Sequence, residues 1–198
     1  MIGLQFTRAV NDIADQVGAS MSGPRANLDP DETVYVYALV VPDDFGLVMG
    51  YANTIRHLAA SAGRPLDKWY FAQWLTGGMD LRPEVLTEAL GDASFQDDRE
   101  LQYHRQAAWL VALAKGLQAA RSRGRLAWRG RPVAAFCSMI DSEDAVWIER
   151  ETARLANPPD LLATFEAELA AAAESWYGTT DPGPRRLRSA FARVLEAR

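Results

Sequence analysis

The chain has very little of what most small enzymes display. Its 198 residues hold one cysteine, Cys137, and two histidines, His57 and His104. One cysteine excludes an internal disulfide framework. Two histidines 47 positions apart have no fixed metal-ligand spacing. No glycine-rich phosphate loop is present, and no residue pattern calls for a cofactor. Lysine occurs only at Lys68 and Lys115, although Lys and Arg together number 21. We read that skew as a bias of composition. No stretch approaches the ~20 apolar residues of a membrane span. No charged start is followed by a long apolar run, which predicts no secretory leader. A reducing, cytoplasmic setting is the simplest expectation. The formal charge of −5 argues against nucleic acid, whose binding takes clustered Lys and Arg.

What is present suits a water-soluble fold: 48% apolar and 24% charged residues, enough to bury a substantial core. Six tryptophans are more than expected. Most such rings fill a core, and some border pockets or interfaces.

Hydrophobic spacing orders the chain. Leu4, Phe6, Val10, Ile13 and Val17 recur three and four apart, which predicts a helix over 3–18 ending at Gly18. Residues 22–32 are rich in turn formers. TVYVYALVV, 33–41, is apolar on both faces and predicts a central strand, with 45–51 returning beside it as a hairpin. Asn53 or Thr54 is placed to cap a short helix to about residue 62. Residues 68–75 read as strand or helical turn. Pro83 begins a helix to about residue 90. Asp97 and Glu100 are spaced as a capping box for the longest helix, to about residue 121. Residues 125–128 and 132–140 predict a second hairpin, its last strand central. Asp141 or Ser142 caps the next helix, Asn157-Pro158-Pro159 breaks it, and Asp160 caps another to about residue 177. A basic amphipathic helix ends the chain. The order predicts an α+β fold, with an antiparallel or mixed sheet built from two hairpins and covered by helices on one face. Residues 1–178 form one domain, and 179–198 pack on it or extend it.

Three stretches resemble a bacterial family known as domain of unknown function 4303. They are YALVVPDDFGLVMGYANT (37–54), with its acidic turn and closing Asn-Thr; KWYFAQW (68–74), with its paired tryptophans; and 140–158, with its Asp-Ser start and RLANP end. Two positions depart from that pattern. Ile55-Arg56-His57 replace the acidic residues that often follow Asn-Thr, and Gln73 stands where an acid is common. The resemblance carries no activity. It implies a small bacterial cytoplasmic α+β protein, and by analogy a setting among toxin-immunity proteins.

Each chemical candidate has a plain structural alternative. Cys137 lies mid-strand between Phe136 and Ser138, where a thiol is normally inert packing. The acidic groups at 43–44, 97–100 and 141–144 sit at turns or helix starts, where carboxylates stabilise the helix. Asp141 to Asp144 would otherwise form an acidic recognition surface for a basic partner. Arg121, Arg123, Arg125, Arg129 and Arg131 cluster near the second hairpin, and Arg185, Arg186, Arg188 and Arg193 line the last helix.

Two function classes follow. The first is a non-enzymatic protein-binding module, of immunity type by resemblance, using Asn53, Thr54, Trp69, Trp74, Asp141 and Asp144. The second is a small hydrolase or transferase, pairing His57 or His104 with a strand-end aspartate, Asp141 or Asp43. A homodimer through the terminal helices is a third, weaker reading.

Overall fold

A computed structural model describes residues 2–22, 31–42, 44–60, 76–82, 84–93, 97–140, 144–177 and 185–197. The chain is α+β. Its elements are α1 (Ile2–Ser22), β1 (Val34–Val41), β2 (Val48–Thr54), α2 (Ile55–Ala60), β3 (Thr76–Leu81), α3 (Glu84–Leu90), α4 (Arg99–Ser122), β4 (Ala127–Trp128), β5 (Arg131–Pro132), β6 (Ala134–Met139), α5 (Ala145–Ala156), α6 (Pro159–Tyr177) and α7 (Arg185–Glu196).

The main sheet has the order β3-β2-β1-β6. β1, β2 and β3 form an antiparallel meander, and β6 runs parallel to β1. The sheet is therefore mixed. The second hairpin is a separate two-residue ladder of β4 and β5. Its turn carries Arg129 at φ 51° and Gly130 at φ 78°, the left-handed pair that a tight hairpin requires. β6 leaves that hairpin and lies at the edge of the main sheet, where a central strand was expected.

Alternation along β1 splits the core. Tyr37, Leu39 and Val41 face a large cluster built with α1, α4 and α7. Val36, Ala38 and Val40 face a smaller one, closed by Phe136 of β6 and Phe165 of α6. Helical side chains thus cover both faces, where one was expected. β1 is buried on both sides because both its faces are apolar.

α4 is the central helix. Every residue from Gln106 to Ala114 is buried, so it has no solvated stripe over that length. α1 lies tight against it: a Cβ added at Gly116 would sit 2.4 Å from Ile13 Cγ2. α1 continues to Ser22, past the expected stop at Gly18. Gly18 is there for space, since a Cβ would meet Arg125 Cδ at 2.4 Å.

Three predicted caps shift. α4 is capped by Asp98, whose side chain accepts from the amides of Glu100 and Leu101, so the capping carboxylate is one residue later than Asp97. Asp144 occupies the N-cap position of α5, with no side-chain cap bond. α6 begins at Pro159, so Asp160 lies inside its first turn. α7 buries Leu187, Ala190, Phe191 and Val194, and packs on α4. Those residues therefore present no free apolar face to a second copy of the chain.

Candidate functional site

Two places concentrate buried polar side chains on the sheet. One is the corner where β2 becomes α2. The other is the outer edge of β6.

At the corner, β1 and β2 pair with a bulge. Val34 lies opposite Thr54 and Val36 opposite Asn53, which leaves Tyr35 as the extra residue. Bulges of this kind re-aim side chains. Asn53 and Thr54 are fully buried. Asn53 Nδ2 donates to the Tyr35 hydroxyl (3.0 Å), and its Oδ1 accepts from the Thr54 amide (2.9 Å). The Thr54 hydroxyl donates to Glu32 Oε1 (2.9 Å) and accepts from the His57 amide (3.2 Å), which makes Thr54 the N-cap of α2. The Ile55 amide donates to the Thr33 carbonyl at 3.0 Å. Trp128 reaches in from β4, its indole N–H donating to the Glu32 carbonyl at 2.8 Å. Glu32 itself is 4% exposed. Its Oε2 is buried with no hydrogen-bond partner. Burial raises the Tyr35 pKa, against the lowering effect of Asn53 and with a further rise from Glu168. Tyr35 therefore stays a neutral hydroxyl at physiological pH.

The edge of β6 has a different character. Residues whose amides and carbonyls point away from β1 are met by side chains. Asn157 Oδ1 accepts from the Ala135 amide (2.8 Å) and from Arg121 Nη2 (2.9 Å), and its Nδ2 donates to the carbonyls of Ala135 (2.6 Å) and Ala153 (2.8 Å). The Thr152 hydroxyl accepts from the Cys137 amide (2.9 Å) and shares its proton between the carbonyls of Ile148 (2.7 Å) and Cys137 (3.2 Å). Arg121 also donates to the carbonyls of Val133 (2.6 Å) and Ala156 (2.7 Å). The buried Ser138 hydroxyl donates to Glu149 Oε1 at 2.6 Å. Burial pushes the Glu149 carboxyl up to about 7, against the lowering effect of Ser138. Burial likewise raises the Cys137 thiol well above its ordinary range, so it is not a thiolate nucleophile.

The other predicted residues fall elsewhere. Asp144 is 2% exposed and paired with Arg188 at 3.4 Å, and the Arg188 guanidinium lies 5.1 Å from the Trp147 ring centroid. Asp144 is thus an internal anchor for α7. His57 is half-buried on α2, and His104 is exposed on α4. Trp69, Trp74, Asp43 and Asp141 lie outside the described residues, as does the strand-or-helix question over 68–75.

Topology separates His57 from one end of the sheet. His57 follows the end of β2 that pairs with Val34, whereas Asp44 follows Val41 at the far end of β1. Eight strand residues at about 3.3 Å each put roughly 25 Å between those ends. Among the described residues no group of three or more His, Cys, Asp or Glu is placed to hold a metal ion. A shallow cavity of about 450 Å³ is lined by Asp15, Gly18, Ala19, Ser22 and Arg125, with Arg125 already paired to Asp15.

Asn53 and Thr54 are residues of this corner that the sequence also singled out; Glu32, Tyr35 and Trp128 were not singled out as such. Glu32 lies at the end of a loop of turn formers, and nothing local marks it as buried. Its only signal is position, an acid just before an apolar strand. No protein-family model, no curated protein and no solved structure matches this chain. The likeness to domain of unknown function 4303 therefore stands on the three quoted stretches alone.

Proposed function

We propose that this chain is a protein-binding module whose docking point is the β2–α2 corner. The observation that supports it most is a contrast within a few residues. α2 buries none of its own residues, and Ile55 is 51% exposed. Yet the two residues just before it, Asn53 and Thr54, are fully buried and hydrogen-bonded. A small exposed helix on a rigid polar mount presents a fixed shape at low ordering cost. Ile55 on that helix supplies an apolar contact. The next stretch of sequence carries Trp69 and Trp74, the residue type enriched at binding hot spots. Asp144 is left out of this surface because Arg188 already holds it. Asp141 lies outside the described residues and follows Ile140, which bonds to Val41 at the end of β1 away from the corner, so it too is left out of this surface. A toxin-immunity setting rests on the family resemblance. No helix among the described residues is long and apolar enough to cross a membrane.

The test is co-expression with products of adjacent genes, followed by affinity capture of the native chain, I55D and L4D. Leu4 is the control, at 80% exposure on α1. A stoichiometric partner retained by L4D and lost with I55D, at equal melting temperature, supports the reading. Equal capture by both variants removes the corner as the docking point.

A further inference from the structure

Two buried carboxylate oxygens have no hydrogen-bond partner among the described residues, Glu32 Oε2 and Glu168 Oε2, and Glu168 acts on Tyr35 of this corner. The Thr54 hydroxyl both donates and accepts, Asn53 uses both ends of its amide, and the Tyr35 oxygen accepts from Asn53. Glu32 has its carbonyl met by Trp128 and its Oε1 met by Thr54, while Oε2 is buried and receives nothing. An ionised carboxylate offers roughly four acceptor positions. Among the described residues no ion pair involves Glu32. A buried polar oxygen without a hydrogen-bond partner is costly.

We propose that Glu32 Oε2 is the receiving atom of a binding site for one cationic hydrogen-bond donor, an ammonium or a guanidinium group.

The chemistry of the corner favours that class over a metal ion. Calcium takes about six to eight oxygen ligands, and magnesium about six in a near-ideal octahedron. Here the two unpartnered oxygens, Glu32 Oε2 and Glu168 Oε2, fall well short of such a shell, and the other polar atoms of the corner are committed to one another. A group that brings its own N–H needs only one acceptor. The Trp128 indole N–H is bonded to the backbone carbonyl of the same residue, and aromatic rings near a carboxylate attract ammonium and guanidinium groups. The site does not depend on the docking reading, since a free small cation would fill it as well as an Arg or Lys side chain of a partner.

The experiment is a thermal melt of the purified chain in sodium chloride, with part of the salt replaced by methylguanidinium, methylammonium or a blocked Gly-Arg-Gly peptide at constant ionic strength. Wild type is compared with E32Q. At about ten times the dissociation constant, the melting temperature of wild type should rise by about 3 °C and that of E32Q should not move. The indole N–H resonance of Trp128, assigned by W128F, should shift with the same ligands in wild type. That second readout stands if E32Q fails to fold. Peptide binding that matches or exceeds methylguanidinium assigns the donor to a polypeptide side chain. Binding of the small cation alone assigns a free ligand. The proposal is overturned if no ligand moves either readout in wild type, or if E32Q responds equally. The open oxygen is then met by water.

Discussion

The two polar regions of the sheet use similar residues toward different ends. At the β6 edge, Asn157 uses both donors and both acceptor positions, Thr152 covers the amide and carbonyl of Cys137, and Arg121 takes three acceptors. Every partner comes from the chain itself. An edge strand is an open template for other chains, and here helix side chains occupy it. At the β2–α2 corner the same kind of network leaves Glu32 Oε2 buried without a partner. A closed network specifies a fold. An open one in a buried place is costly to folding and points to something from outside.

That contrast gives measurable differences. The largest effect belongs to the closed network. Asn157→Ala orphans the Ala135 amide and carbonyl and releases Arg121. The expected loss is about 3 kcal/mol, a fall of about 6–12 °C in melting temperature. A loss under about 1 kcal/mol would mean that water replaces Asn157 and that the edge is not sealed by it.

Glu149 sharpens the same region through pH. Its folded pKa, about 7, lies above its ordinary value of 4.5. Between those values the folded chain holds a proton that the unfolded chain has released. Stability therefore falls as pH rises from about 4.5 to 7, by about 3 kcal/mol in total, and is level on either side. Glu149→Gln should flatten that slope in a series of urea melts. An unchanged slope would place the titrating group elsewhere.

How much of this was legible in the sequence depends on range. The dense β-branched and aromatic run 33–41, apolar on both faces, revealed β1 and its two buried faces, and the break at 42–44 indicated β2, because both signals are local. The long central helix was equally plain. The parallel pairing of β6 with β1 was not, since about 90 residues separate the strands and a continuous apolar run does not distinguish an edge from a centre. Asn157 read as a turn residue, which it is, as the C-cap of α5. Its bonds to Ala135 depend on a packing of α5 on β6 that no local pattern encodes. At the corner, Asn53 and Thr54 were visible as capping residues. Glu32 and Tyr35 were not, because an acid at a loop end and a tyrosine in a strand usually face solvent. Their roles come from the bulge and from the long-range bonds to Asn53 and Thr54.

The most direct measurement compares the stability of Glu32→Gln with that of Asn157→Ala in sodium buffer, without added cationic ligand. The amide introduced by Glu32→Gln keeps an acceptor for the Thr54 hydroxyl and replaces the unpartnered oxygen by an amide nitrogen. The account predicts that E32Q melts at or above wild type while N157A melts well below it. If E32Q loses as much stability as N157A, the Glu32 carboxylate is structural, and the two regions do not differ in kind.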